Sequence, residues 1–269
     1  MNTGPADRPT TVEEFLTLDD RTAVIAHRGF SGARPENTLA AVRAAIDVGA
    51  DMVEVDVTLT ADGHVVCIHD DTVDRTTNGS GPVTSFNLDE LQRLDAGSWF
   101  SSEWAGERIP TMVDVLDLSK GRILVNVEIK SEVVTEKVEG GIADKVVRLI
   151  NRLDMSDRVI VSSFDPLALQ QVRRIDPDIA TASLFNKDIH RGWAPSDVVE
   201  NAGSRALNIS QKRVTRALMD QCRTAGVPVG VYTVNTKRNM RKMIRWGVQA
   251  IFTNHPEQLM AVSYTHLTL

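Results

Sequence analysis

Short apolar runs alternate with amphipathic stretches through most of this 269-residue chain, and the alternation predicts an α/β protein, a (β/α)8 TIM barrel. Three observations carry that prediction. Strand-like and helix-like segments follow one another, a pattern that requires parallel strands joined by right-handed crossovers. The length is close to the ~250 residues typical of one such barrel. Polar and ionisable residues also collect at the ends of the strand-like runs, where barrels of this kind carry their chemistry.

A polar lead-in occupies residues 1–20, and one barrel domain is expected over 21–262. Its strand-like runs are Ala23–His27, Met52–Leu59, Val65–His69, Ile123–Ile129, Val159–Phe164, Ala180–Phe185, Ala206–Ile209, Val227–Val234 and Ala250–Thr253. Helical patterns include Thr38–Val48, Asp144–Leu153, Pro166–Ile175, Val214–Ala225 and Lys237–Trp246. Gly49, Gly226 and Gly247 stand where the glycine that ends a helix belongs. The runs exceed a barrel's eight strands by one. Asp62-Gly63 lies between alternating apolar residues, a hairpin signal, so Val65–His69 is expected to return antiparallel against Met52–Leu59. With Asp62 and Gly63 as the two turn residues, Ala61 faces His64 and Asp56 faces His69. Residues 70–114 fit no βα unit and read as a small insertion over the C-terminal face, with a short helix at Asn87–Leu94. The last residues, Ser263 to Leu269, show no helical period. They resemble a translated adaptor or vector scar and are expected to lie outside the fold.

Hydrophobic residues make up 42% and charged residues 25% of the chain, the composition of an ordinary globular protein. A net charge of −6 without a basic run argues against nonspecific nucleic-acid binding and leaves room for a local pocket for one phosphate. Cys67 and Cys222 sit in apolar-patterned segments and read as buried free thiols. The first residues lack the basic and apolar regions of a signal peptide, and no stretch approaches ~18 consecutive apolar residues. A cytoplasmic protein without stable membrane insertion is expected.

The chemistry gathers on the first three barrel strands. The first ends in His27-Arg28-Gly29. In the second, Glu54 and Asp56 share one face while Val53, Val55 and Val57 share the other. In the third, Asn126, Glu128 and Lys130 face opposite to Val125, Val127 and Ile129. The apolar faces pack against helices, so the carboxylates point into the barrel mouth. Buried unpaired charge is expensive, and a hard divalent cation compensates it; oxygen ligands favour Mg²⁺ or Ca²⁺. Neutralisation by Arg28 and Lys130 alone is the plainer alternative. His27 and His69 are the candidate acid and base for a phosphodiester, one activating the nucleophile and the other protonating the leaving alkoxide. The cation, Arg28 and Lys130 would stabilise charge on the phosphoryl oxygens. His64, at the predicted turn, reads as surface, and His190, His255 and His266 join no cluster.

The ordered motifs resemble the glycerophosphodiester phosphodiesterase family. They are His27-Arg28-Gly29, Pro35-Glu36-Asn37-Thr38, Val53-Glu54-Val55-Asp56, Asp62-Gly63, His69-Asp70, Arg75-Thr76-Thr77-Asn78-Gly79, Ile109-Pro110-Thr111, Val127-Glu128-Ile129-Lys130, Ser162-Ser163-Phe164 and Tyr232-Thr233-Val234-Asn235. The resemblance spans about residues 22–260. It implies cation-dependent hydrolysis of a small glycerophosphodiester to sn-glycerol 3-phosphate and an alcohol. It maps the acid/base pair onto His27 and His69 and the metal ligands onto Glu54, Asp56 and Glu128. It places Arg28 and Lys130 at phosphate-contacting positions and Glu36 on the site lining. Asn37 and Thr38 read equally well as the N-cap of the first barrel helix. The insertion matches the family's cover over the glycerol end. Tyr232 stands where the family often has Trp, keeping a ring to pack on glycerol, and Asn254 stands where it often has Asp. Lipid-cleaving relatives of the lysophospholipase D or sphingomyelinase D type are one alternative, with Phe86, Leu88, Trp99, Phe100 and Trp104 as the apolar surface such a substrate needs. A non-catalytic binding protein on a degenerate barrel is the other, and the filled positions His27, His69, Glu54, Asp56 and Glu128 argue against it.

Overall fold

The computed structural model describes residues 8–266. Its strands are β1 (Ala23–Ala26), β2 (Met52–Leu59), β3 (Val65–Cys67), β4 (Leu124–Ile129), β5 (Val159–Ser163), β6 (Ala180–Leu184), β7 (Ala206–Ser210), β8 (Val229–Tyr232) and β9 (Ala250–Thr253). All but β3 pair in parallel in the order β1-β9-β8-β7-β6-β5-β4-β2, and β1 pairs with β2 to close the barrel. The expected surplus run is β3, antiparallel on β2 outside the ring.

The helices are α1 (Val12–Leu16), α2 (Leu39–Val48), α3 (Leu88–Leu91), α4 (Met112–Ser119), α5 (Ile142–Arg152), α6 (Pro166–Ile175), α7 (Pro195–Ala202), α8 (Arg216–Thr224), α9 (Lys237–Arg245) and α10 (Pro256–His266). Side-chain caps fix where several of them begin. Thr38, Asp165, Thr215 and Thr236 each accept a backbone N–H from the first turn. Outward-facing Val53, Val55, Val57, Val125, Val127 and Ile129 are buried beneath the helices in the main core.

Two expectations need correction. The hairpin register is shifted by one residue: Leu59 faces Val65, and Thr60 donates its N–H to His64 O at 3.0 Å. The loop is therefore the three residues Ala61, Asp62 and Gly63, closed by Gly63 at φ +78°, a turn with one residue in the left-handed region. Such a slip exchanges the two faces of a strand. Ile68, not His69, reaches Asp56, donating its N–H to the Asp56 carbonyl at 3.1 Å.

The lead-in is also more than a polar tail. Its helix α1 buries Val12, Phe15 and Leu16 against Ile25, Met52, Leu124 and small inward residues such as Ala180, Ala206 and Ala250. These alanines leave room at the bottom of the barrel, and Phe15 fills it. The helix α10 runs from Pro256 to His266, and residues 267–269 of the expected non-native tail lie outside the described residues.

The insertion carries its own apolar cluster, Val66, Ile68, Val73, Val83, Leu91, Ala96 and Ile109. The short helix expected at Asn87–Leu94 is α3, where Glu90 Oε2 accepts the Asn87 N–H at 2.8 Å.

Candidate active site

The pleat of β2 and β4 turns Glu54, Asp56 and Glu128 into the same end of the barrel, and Asp56 is the direct register partner of Glu128. One carboxylate oxygen from each lies within 4.8 Å of the others. Burial, then the neighbouring Asp56 and Glu128, holds the Glu54 carboxyl well above its ordinary range. Burial, and then Asp56, pushes Glu128 up to about 8. Two cations face the trio. Lys130 Nζ lies 3.8 Å from Asp56 and 3.7 Å from Glu128. Arg28 Nε lies 3.3 Å from Asp56 Oδ2 but makes no directed hydrogen bond. Glu54 Oε1 is buried with no hydrogen-bond partner among the described residues. Three converging carboxylates, one of them with an orphaned oxygen, are a donor set that suits a hard divalent cation.

The loop after β1 is built around these groups. Arg28 adopts φ +57° and its N–H binds Glu54 Oε2 at 2.7 Å. Gly29 follows at φ +77°, where a Cβ would come within 2.6 Å of the Ala41 backbone, so only glycine fits. Thr38 is the N-cap of α2, accepting from Ala41 N at 3.3 Å. That frees Asn37, itself at φ +57°, to hold Asp56 twice: its amide donates to Oδ2 at 3.0 Å and its oxygen accepts the Asp56 N–H at 3.2 Å.

His27 ends β1 with Nε2 4.0 Å from Glu54 Oε2 and Nδ1 2.8 Å from Asn254 Oδ1. Burial, reinforced by Arg28, pushes the ring down to about 4. His69 lies past the end of β3, with Nδ1 2.6 Å from Asp70 Oδ1. Pairing delivers the chain to the mouth, but Asp70 rather than Asp56 holds the ring. Asp70 is gripped in turn by Arg75 Nε at 2.6 Å, which keeps its carboxyl well below the usual range, with His69 adding to the effect. Arg75 also binds both oxygens of Glu36, at 3.0 and 2.7 Å, and Glu36 accepts from Arg28 Nη1 at 2.8 Å. Burial opposes ionisation of Glu36, but Arg75 and Arg28 outweigh it and hold its carboxyl below the usual range. His69 thus joins the cluster through Asp70, Arg75, Glu36 and Arg28. In the sequence, Asp70 and Arg75 stand out only within motifs and Asn37 only as an N-cap candidate, because their ties cross loops that carry no periodicity.

Tyr232 ends β8, half-buried, with its ring edge-on to Phe164 at 6.1 Å and Phe252 at 6.3 Å. Burial, then Glu128, raises its hydroxyl. A cleft of about 580 Å³ lies between α2 and the insertion, lined by Arg34, Arg43, Trp104 and Arg108, and contains none of these groups. Among the described residues no helix is long and apolar enough to cross a membrane.

Known proteins share this arrangement of sequence and fold. The profile of the Glycerophosphoryl diester phosphodiesterase family matches residues 27–258. A glycerophosphodiester phosphodiesterase from Caldanaerobacter subterraneus subsp. tengcongensis is 41% identical over 241 residues, covering 89% of this chain and 97% of the relative. An Oleispira antarctica phosphodiesterase, solved in complex with the product sn-glycerol-3-phosphate, superposes with a TM-score of 0.83 at 31% identity, covering 90% of this chain and 96% of that one. A glycerophosphodiester phosphodiesterase from Agrobacterium tumefaciens gives a TM-score of 0.77 at 31% identity, covering 89% and 99%.

Proposed function

The chain belongs to the glycerophosphoryl diester phosphodiesterase family, and from that premise we propose that it hydrolyses small glycerophosphodiesters to sn-glycerol 3-phosphate and an alcohol with Mg²⁺ or Ca²⁺ held by Glu54, Asp56 and Glu128. The observation that carries the proposal is the convergence of the three carboxylates within 4.8 Å beside the buried, unpartnered Glu54 Oε1. A divalent cation bound there would supply Lewis-acid neutralisation of the phosphoryl charge. Arg28 and Lys130, already at the carboxylates, bind the remaining phosphoryl oxygens. His27, held neutral by burial, accepts the proton of the attacking water. His69, oriented by Asp70, gives a proton to the leaving alkoxide as the phosphorus–oxygen bond breaks. Water adds to phosphorus, one ester bond is lost, and the proton count closes.

The lipid alternative needs an apolar surface at the mouth, and little supports one. Phe86 and Leu88 pack on the insertion's own cluster. Trp104 lies under the Arg34 guanidinium at 4.4 Å, and of the five candidates only Trp99 is exposed. The test is an assay of glycerophosphocholine against lysophosphatidylcholine, with and without chelator. Hydrolysis of the first, abolished by chelation and restored by Mg²⁺ or Ca²⁺, is expected. Turnover of the lysolipid alone sinks the small-substrate reading, and chelator-resistant turnover sinks the carboxylate site. His27→Ala is expected to cost roughly 10²–10⁴ in kcat.

A further inference from the structure

The Tyr232-Thr233-Val234-Asn235 motif and the end of β9 meet in a place the proposed reaction leaves unused. Asn235 Oδ1 accepts the N–H of Asn254 at 2.9 Å and the Thr253 hydroxyl at 3.2 Å. The Thr253 hydroxyl oxygen accepts the N–H of His255 at 3.0 Å. The Asn254 carbonyl accepts from Gly32 N at 2.8 Å, and the Thr253 carbonyl accepts from His27 N at 3.0 Å. Asn254 is thus pinned by its own backbone at both ends, and its side-chain oxygen is held 2.8 Å from His27 Nδ1.

An amide oxygen accepts and cannot donate. With the Asn254 oxygen turned to the ring, His27 Nδ1 carries the proton, and Nε2, the nitrogen nearer Glu54, presents a lone pair. We propose that Asn254, braced by Asn235, is the positioning residue that locks His27 in the Nδ1–H tautomer and so makes its Nε2 the proton acceptor at the reacting centre. Asn254 makes its hydrogen bonds to His27, Gly32 and Asn235. It acts through the ring, as the outer partners of metal-site and catalytic histidines do. An uncharged partner serves this role because an acceptor, not a charge, selects the tautomer. This inference rests on the acid/base reading above for its catalytic consequence, while the tautomer is a property of the protein alone.

The experiment uses histidine-labelled full-length protein at pH 8 and long-range ¹H–¹⁵N spectra, with the His27 signals identified by their loss in His27→Gln. Wild type is expected to show a protonated Nδ1 and a bare Nε2. Asn254→Ala is expected to lose that pattern for His27 while the other histidines keep theirs, and Asn254→Asp, which retains the acceptor, is expected to restore it. In turnover, Asn254→Ala is expected to lower kcat by about 10- to 100-fold with KM nearly unchanged, and Asn254→Asp is expected to recover most of the loss. A wild-type tautomer or kcat in Asn254→Ala, or no recovery in Asn254→Asp, overturns the proposal. Should the wild type cleave no glycerophosphodiester, the proposed function fails, and the spectra still decide the tautomer.

Discussion

Glu128 is where the cost and the use of the site meet in one residue. A carboxyl pushed up to about 8 in the folded chain holds a proton that the unfolded chain, with an ordinary carboxyl near 4.5, releases. The sign follows directly. Between those values the folded state binds more protons than the unfolded state, so stability is full below the lower value and falls as pH rises toward the upper one. Glu54 moves in the same direction. A bound cation takes the place of those protons, so its binding releases them and tightens with pH. From pH 7.5 to 8.5, above the range in which His27 titrates in the folded or the unfolded chain, the melting temperature of metal-free protein is expected to fall, and the rise produced by saturating Mg²⁺ or Ca²⁺ to grow. Glu128→Gln is expected to flatten both trends, melt higher than metal-free wild type at pH 8, and lose cation-dependent activity. Thermal unfolding at three pH values, with and without cation, checks this; a melting temperature that rises with pH in the metal-free protein contradicts it.

At the scale of the element, the hairpin separates what the sequence makes legible from what it does not. The β-branched runs announce β2 and β4, and a period of two is enough to put Glu54, Asp56 and Glu128 on the barrel's inner face. The Asp62-Gly63 pair announces a turn, but the same dipeptide fits a two-residue loop or a three-residue loop ending in a left-handed residue. Only the backbone decides between them, and it chooses the second through Gly63 at φ +78°. The same holds for Asn37, whose grip on Asp56 depends on φ +57°, and for Asn254, whose partner His27 is 227 residues away. Gly63→Ala forces a Cβ into the left-handed region and toward Lys145 Nζ at 3.0 Å. It is expected to cost about 1–2 kcal/mol, and Gly63→Asn less, because asparagine enters that region more readily. The turn is the far tip of the arm, so kcat is expected to stay near wild type in both. Chemical denaturation beside a turnover assay measures it, and equal stability of the Ala and Asn variants counts against a left-handed requirement.

Across the whole molecule the two ends of the barrel have opposite composition. The C-terminal mouth carries charges that burial disfavours, while the bottom is an apolar chamber lined by small residues and stoppered by α1. A five-residue helix has little stability alone, so tertiary burial holds it. Val12 N–H donates to the Asp157 carbonyl at 2.7 Å, and the Gln249 amide donates to the Phe15 and Leu18 carbonyls at 3.0 and 2.6 Å. Its sequence, between charged and polar neighbours, shows too few apolar residues for a period, which is why it reads as a lead-in until the chamber is seen. Phe15 is 4% exposed, and its removal leaves a hole that alanines in the barrel wall cannot collapse to fill. Phe15→Ala is therefore expected to cost roughly 3–5 kcal/mol, a drop in melting temperature on the order of ten degrees for a chain of this size. The carboxylates lie at the other end of the strands, so turnover well below the transition is expected to survive. If the variant melts like wild type, α1 is an ornament on the barrel; if it is cold-stable yet inactive, the bottom of the barrel is coupled to the mouth through the strands between them.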